Sequence, residues 1–377
     1  MSQIYQKAVD FANAHIKPYS KKIDENAVFP TETFKALGET DFLKLMIPKE
    51  LGGLGGNILD HAEICLAFAS ECATAGLCYM MHNVALNCVM QHGSDEIKAK
   101  IAKEVVEEGK FLALAYSELG SGTHFYKPEL EAKFLANGVS LTGIKSMVTS
   151  ATHASYYLVV APSENGVAGD TDNWMVPLDT DGMSFSPNTW QGLGMRGNVS
   201  CQMHLKNASL DRSLRLGGVG EGGAQIFNTI APLFLIGLAS VYSGLCENIL
   251  RVAGNYAKER KYGDGTSLSQ FETVQIHLSD LYVKTKSAVA LVRDAGNSAI
   301  NGDADAALKI FAARINASKV VIEIGSLAMR IGGGKSYNKG TELERLLRDA
   351  YAGQVMAPSV DVLTIWLGKA FSGIAIP

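Results

Sequence analysis

The sequence predicts an α+β fold in which helical N-terminal and C-terminal units flank a middle β-domain. Apolar residues recur at helical spacing up to about residue 108, form short alternating or continuous runs between 111 and 205, and return to helical spacing after 223. Because the strands are confined to one part of the chain and do not alternate with helices, a doubly wound parallel sheet is not expected. We therefore predict three domains, with boundaries at 1–112, 113–216 and 217–377.

The N-terminal unit is predicted to contain five helices. Each shows apolar positions three or four residues apart, and Pro30 with Thr31 is typical of a helix start. A glycine-rich turn from 47 to 55 separates the second helix from the third. The predicted helices span residues 3–16, 31–45, 60–75, 78–92 and 94–108.

The middle unit is predicted to be a β-barrel or sandwich of seven or eight strands, because its apolar runs are short and turn residues such as Asn137-Gly138 separate them. The clearest runs are 111–117, 129–134, 139–144, 156–161, 174–177, 182–186 and 199–205.

The C-terminal unit is predicted to be a four-helix bundle, since its helical periodicity extends over long segments. Apolar residues left on the outside of such a bundle favour subunit contacts, so a homodimer or homotetramer is expected. The segments with helical periodicity are 224–260, 269–302, 303–330, 341–352 and 361–371.

Composition restricts the function class. Hydrophobic residues make up 47% and charged residues 19% of the chain, and the formal net charge is -4, so nucleic-acid binding is not expected. We expect no membrane span and no secretory signal, and hence a cytoplasmic protein. The six cysteines form no C-x-x-C pair, so we expect free buried thiols and no metal site.

One glycine motif matches the dinucleotide-binding pattern but lacks its structural context. Residues Gly192 to Gly197 read G-x-G-x-x-G, but a dinucleotide fingerprint needs a strand before it and a helix after it. Here Trp190 precedes the motif and the strand-like run 199–205 follows it. A Rossmann-type site is therefore not predicted.

Several segments between residues 45 and 370 resemble, in order, the acyl-CoA dehydrogenase flavoenzymes. The tail is the most specific, with Glu344-Arg345, Arg348-Asp349-Ala350 and a preceding glycine run. The other matching segments are 48–55, 113–122, 143–151, 192–197 and 256–280. The resemblance implies FAD as cofactor, an acyl-CoA or acyl-carrier-protein substrate, and an electron-transfer protein or oxygen as electron acceptor.

The resemblance also implies a set of cofactor-binding residues, with Thr149 near the flavin N5 and Arg260 near the adenosine diphosphate. The chain departs from the family pattern at Met147, where a tryptophan is usual, and at Glu272 and Arg330, where glutamines are usual. The implied set is Leu114, Tyr116, Ser117, Ser121, Met147, Thr149, Arg260, Tyr262, Gln275, Gly333 and Gly334.

The catalytic base is the main departure. The family removes an α-proton with a glutamate at one of two positions, which fall here on Ala357 and Phe234, and neither side chain accepts a proton. Asp361, about one helical turn after Ala357, is the candidate for a displaced base, and Glu247 and Glu118 are remoter ones.

Three functions stay open at this point. Dehydrogenation of the CH–CH group of an acyl thioester ranks first, a flavin-dependent monooxygenase of the same fold second, and a degenerate non-catalytic flavoprotein third.

Overall fold

The computed structural model describes residues 2–376. All five predicted N-terminal helices are present, and a short helix that the sequence analysis missed lies between the first two. The helix predicted at 31–45 ends at Gly38, because the chain then turns into a short 3-10 helix, Phe42–Lys44. The N-terminal helices are α1 (Gln3–His15), α2 (Ser20–Glu25), α3 (Thr31–Gly38), α4 (Ile58–Ala69), α5 (Ala73–His92) and α6 (Asp95–Glu108).

Helix α5 is apolar on nearly every side and is buried along most of its length. Its His82 is fully buried and connects two other parts of the chain, with Nε2 lying 2.8 Å from the Leu43 carbonyl oxygen and Nδ1 accepting from Leu112 N–H at 3.1 Å. Burial lowers the pKa of His82 to about 4, so the imidazole is neutral at neutral pH. All six cysteines are free and buried, as predicted.

The middle domain consists of two four-stranded sheets with strand orders β1-β4-β5-β8 and β2-β3-β7-β6. Strands β1 and β4 pair in parallel and the other neighbours are antiparallel. The strands are β1 (Leu112–Ala115), β2 (Glu131–Leu135), β3 (Gly138–Val148), β4 (Tyr156–Pro162), β5 (Thr171–Pro177), β6 (Met183–Ser186), β7 (Cys201–Asp211) and β8 (Arg215–Leu216).

Three long helices, α8, α9 and α10, form most of the C-terminal unit, and the shorter α11 and α13 pack against α10. The segment Gly222–Glu259 is long and apolar enough to cross a bilayer, but 83% of its most apolar window is buried, which is typical of a core helix. The elements are α7 (Gly222–Gln225), a π-helical turn (Ile226–Ile230), α8 (Ala231–Glu259), α9 (Glu272–Asn301), α10 (Ala306–Ser336), α11 (Glu342–Ala350), α12 (Ala352–Val355) and α13 (Val360–Phe371).

The three predicted domain boundaries stay predictions. The strands begin at Leu112 and end at Leu216, and the outermost residues of the predicted ranges, Met1 and Pro377, lie outside the described residues.

Charged residues at the end of α11 join the three units. Arg348 pairs with Asp24 of α2, with nitrogen–oxygen distances of 2.6 and 2.8 Å, and donates to the Leu193 carbonyl at 3.0 Å. The buried Asp349 accepts a 2.5 Å hydrogen bond from Met195 N–H. At Gly194 an added Cβ would overlap the Arg348 carbonyl, so the turn that mimics a dinucleotide motif is instead a close contact between the β-domain and α11.

Asp349 gives the fold a testable pH dependence. Burial raises the pKa of its carboxyl from 3.8 to about 6, so the protonated form is favoured by folding. The stability that this group contributes is present below about pH 4 and is lost as the pH rises through about 6, about 3 kcal/mol in total. In Asp349→Asn, the free energy of unfolding relative to the natural chain should therefore rise by about 2 kcal/mol, most of that total, between about pH 4 and pH 7, as measured by urea titration. The exposed Asp361→Asn variant is the matched control, and parallel pH profiles for Asp349→Asn and the natural chain would contradict this account.

Candidate active site

A cavity of about 830 Å³ lies between the β-domain and the C-terminal helices. The β1 and β3 strand ends form one wall, with Leu114, Tyr116, Ser117, Met147 and Thr149 on the cavity surface. The other walls are largely apolar and include Phe227, Phe234, Ile310, Phe311, Val355, Met356, Ala357 and Trp366. A mostly apolar cavity of this size with a few polar groups on one side is typical of a small-molecule or cofactor site.

The π-helical turn Ile226–Ile230 contributes Phe227, Asn228 and Ile230 to the cavity wall. Such turns occur often at functional sites, because the extra residue redirects side chains. A buried chain of hydrogen bonds connects Gln225, the residue before this turn, to the wall formed by the β1 and β3 strand ends. Tyr116 Oη donates to Asn173 Oδ1 at 2.5 Å, and Asn173 Nδ2 donates to Gln225 Oε1 at 2.9 Å. The position of the π-helical turn is thereby coupled to the end of β1.

The polar side of the cavity offers unfilled hydrogen-bonding capacity. Thr149 Oγ1 and Ser200 Oγ lie 2.9 Å apart, and since two hydroxyls share this one bond, one O–H is left to donate to a ligand. Asn198 Oδ1 is buried and has no hydrogen-bond partner within residues 2–376. Buried polar atoms without partners are costly, so these groups fit the polar edge of a flavin ring.

A buried ion pair supports this wall from behind. Lys145 Nζ lies 2.5 Å from Glu118 Oε1 and donates to the carbonyls of Val160 at 2.8 Å and Tyr116 at 3.3 Å. Burial lowers the pKa of Lys145 to about 8, and the Glu118 carboxylate opposes this shift. Glu118 Oε2 also accepts from Glu129 N–H at 2.7 Å. Glu118 is on the cavity surface, but its charge is already balanced.

Ala357 and Phe234, the positions at which the resemblance implies the family's base, lie on the cavity wall. Asp361 does not line this cavity: it is exposed on the first turn of α13, which buries Val360 and Leu363 and leaves Asp361 toward solvent. Glu247 pairs with Lys286 at 2.6 Å and also lies outside the cavity wall. This placement gives no support to Asp361 or Glu247 as a displaced base.

The remaining predicted cofactor residues do not line this cavity. Ser121 is buried in the turn after β1, where its hydroxyl donates to the Glu118 carbonyl at 3.1 Å. Arg260 stacks over the Tyr262 ring at 5.7 Å on the surface, and Gly333 breaks the α10 backbone at a φ of 56° and ψ of -153°. Gln275 and Gly334 are also exposed. Their contacts with the adenosine end of a cofactor stay a prediction.

Asn198, Ser200 and Arg314 were not predicted from the sequence as residues of this site. Asn198 and Ser200 follow directly on the G-x-G-x-x-G turn, and their polarity beside an apolar strand was the available signal. Arg314 is the one charged residue in the run from Ile310 to Ala317, and a lone cation in an apolar helix face is a comparable signal.

Sequence models of all three acyl-CoA dehydrogenase domains match the chain: the N-terminal domain at residues 2–108, the middle domain at 113–208 and the C-terminal domain at 234–370. The chain belongs to the acyl-CoA dehydrogenase family. The family's members are flavoenzymes, so the chain is an acyl-CoA dehydrogenase-like flavoenzyme, and the predicted α+β fold with its central β-domain is confirmed.

Individual relatives are distant but match along the whole chain. A 3-(aryl)acrylate reductase of Clostridium sporogenes is 28% identical over 92% of this chain and 91% of its own length. Mitochondrial isovaleryl-CoA dehydrogenase of Solanum tuberosum is 27% identical over 97% of this chain and 89% of its own. The structure of butyryl-CoA dehydrogenase from Megasphaera elsdenii has a TM-score of 0.90 with 21% identity, covering 99% of both chains, and shows the shared fold.

The Lys145–Glu118 pair yields a prediction for the polar wall. Glu118→Gln would leave the Lys145 ammonium buried without a counter-charge, which should lower the free energy of unfolding by about 3 kcal/mol. Urea unfolding measures this loss. The double variant Glu118→Gln with Lys145→Met removes both charges and should be more stable than Glu118→Gln alone, whereas additive losses would show that the two charges do not compensate each other.

Proposed function

We propose that the protein is an FAD-dependent oxidoreductase that acts on the CH–CH group of an acyl thioester, carried on coenzyme A or an acyl carrier protein, without a glutamate at either usual base position. The observation that carries this proposal is the cavity itself. Its polar side offers Ser117, Thr149 and Asn198 to a flavin, and its opposite side is an apolar space for an acyl chain.

The residues present fit a flavin at the β-domain wall. When bound, a flavin supplies hydride acceptance at N5. The hydroxyls of Ser117 and Thr149 and the amide of Asn198 would orient the ring. The wall contains aromatic side chains that suit a branched or aromatic acyl group, namely Phe227, Phe234 and Phe311.

Proton removal must differ from the usual family mechanism. Within residues 2–376, Glu118 is the one carboxylate on the cavity wall, and its negative charge is balanced by Lys145. The α-proton is therefore expected to leave to an acceptor that the solvent or the substrate provides.

The proposal extends to the electron acceptor, the oligomeric state and the location of the protein. The electron acceptor would be an electron-transfer protein or oxygen. Exposed apolar residues on α9, including Ile276, Tyr282 and Val283, support a homodimer or homotetramer. Six free buried thiols agree with a cytoplasmic location.

A flavin-dependent monooxygenase of the same fold is the second candidate. One observation favours it: within residues 2–376 the cavity wall has no unpaired carboxylate, and oxygen activation on a reduced flavin needs no α-proton base.

The purified protein should be yellow, and anaerobic addition of an acyl thioester should bleach the flavin absorbance band. Stopped-flow spectroscopy over a series of chain lengths and branched or aromatic acyl groups measures the rate. An unchanged band with every thioester, together with a hydroxylated product from externally reduced flavin and oxygen, would favour the monooxygenase. A colourless protein that cannot be reconstituted with FAD would contradict both the dehydrogenase and the monooxygenase.

Ala357→Glu places a carboxylate at the usual base position and should raise the rate of flavin bleaching by saturated acyl thioesters about 100-fold, the lower end for a positioned general base. Ala357→Gln has nearly the same size and no base, so it should give no increase. Asp361→Asn tests the displaced base directly. We expect an unchanged rate because Asp361 faces solvent, and a large loss would restore Asp361 as the base.

A further inference from the structure

Gln225 is a buried amide that ties the start of the π-helical turn to the β-domain. It is the last residue of α7, and its Nε2 donates to the Leu216 carbonyl of β8 at 2.7 Å. Its Oε1 accepts from Asn173 Nδ2 of β5 at 2.9 Å, and the same Nδ2 lies 3.4 Å from the Gly222 carbonyl at the start of α7. Both ends of α7 are therefore held by the sheet that contains β5 and β8.

The chain of hydrogen bonds that ends at Leu216 begins at Tyr116, on the cavity wall that β1 and β3 form. Tyr116 Oη donates to Asn173 Oδ1, and burial raises the pKa of the phenol, so the hydroxyl keeps its proton and stays the donor. The exposed fractions of Tyr116, Asn173 and Gln225 are 4%, 0% and 2%. Because a break at any point would leave a buried polar group without a partner, the three side chains are expected to act as one unit.

The turn that follows Gln225 is π-helical, and Pro232 favours this conformation. The Ala231 N–H donates to the Ile226 carbonyl, which lies five residues earlier instead of four. Pro232 has no N–H, so it cannot close an α-helical hydrogen bond to the Asn228 carbonyl. The side chains of this turn that line the cavity are Phe227, Asn228 and Ile230. The position of the turn therefore sets the shape of the wall opposite the β-domain.

We propose that the chain of Tyr116, Asn173 and Gln225 makes the two sides of the cavity bind their ligands cooperatively. A flavin held at the end of β1 orders Tyr116 and, through Asn173 and Gln225, the π-helical turn against which an acyl group would lie. Asn173 and Gln225 do not line the cavity, so they act as positioning residues. This inference rests on the proposed thioester function and deepens it, because it states how the two ligands of that site influence each other.

The cooperativity has an entropic basis. Ordering the chain and the turn costs conformational entropy, and this cost is met once. When a flavin has already ordered them, an acyl thioester that binds afterwards loses less entropy and binds more tightly. The effect on affinity is reciprocal, so the thioester must tighten the binding of the flavin by the same factor.

The test measures the dissociation constant of FAD by diluting the full-length holoprotein and recording the fluorescence of the released flavin. The measurement is repeated with saturating cinnamoyl-CoA, an aromatic acyl thioester that is already unsaturated at the CH–CH group. The thioester should tighten FAD binding in the natural chain, and the factor should be about 5-fold smaller in Tyr116→Phe, which breaks the chain. Direct contact between the two ligands is the same in both proteins, so the difference reports the chain.

Thr149→Val is the matched control. It removes a hydroxyl from the same wall that takes no part in the chain, so FAD should bind more weakly while the thioester factor stays that of the natural protein. Gln225→Leu breaks the chain at its other end and should reduce the factor as much as Tyr116→Phe does. The double variant should lose no more than either single variant, because one break already interrupts the chain.

Hydrogen–deuterium exchange on the natural chain needs no folded variant. FAD alone should slow the exchange of the backbone amides of 226–231 by about 5-fold. Amide exchange that FAD leaves unchanged, or one thioester factor shared by the natural chain, Tyr116→Phe and Gln225→Leu, would overturn the coupling and leave the thioester function intact. Failure of cinnamoyl-CoA and of saturated thioesters to bind the holoprotein would overturn both.

Discussion

The buried pair of Lys145 and Glu118 is the interaction on which the polar side of the cavity depends. Lys145 belongs to β3, while its partners come from the end of β1, from β4 and from the segment after β1. One ammonium group therefore fixes the relative positions of three strands beside Tyr116 and Ser117. The pair is fully enclosed, so either charge alone would be costly and the two must be kept together.

The helical side of the cavity is fixed in a different way. Asp349 and Arg348 at the end of α11 bind the turn around Met195 and helix α2, which closes the C-terminal helices onto the β-domain. Gly194 allows this approach because a side chain there would overlap the α11 backbone. A turn that reads as a dinucleotide motif is thus explained by packing between domains.

Periodicity predicted most of the fold, since helices with an apolar stripe and strands in short runs carry a local signal. Periodicity gave the wrong end for α3, because this helix stops at Gly38 although the apolar spacing continues to residue 45. Residues of the cavity wall were predicted where a segment resembles the family. These residues are Leu114, Tyr116, Ser117, Met147 and Thr149. For Asn198 and Arg314 the sequence offered only a polar residue beside an apolar run, and the sequence does not show which of their atoms have no hydrogen-bond partner within residues 2–376.

The position of Asp361 could also not be predicted from sequence spacing alone. The sequence places Asp361 about one helical turn after Ala357. The helix that begins at Val360 buries Val360, Leu363 and Trp366, so the Asp361 carboxylate lies on the exposed face. Within residues 2–376, Glu118 is the one carboxylate on the cavity wall, and Lys145 balances its charge. Because the Glu118 carboxylate already binds Lys145 and the Glu129 N–H, this side chain maintains the polar wall and is not available as a free base.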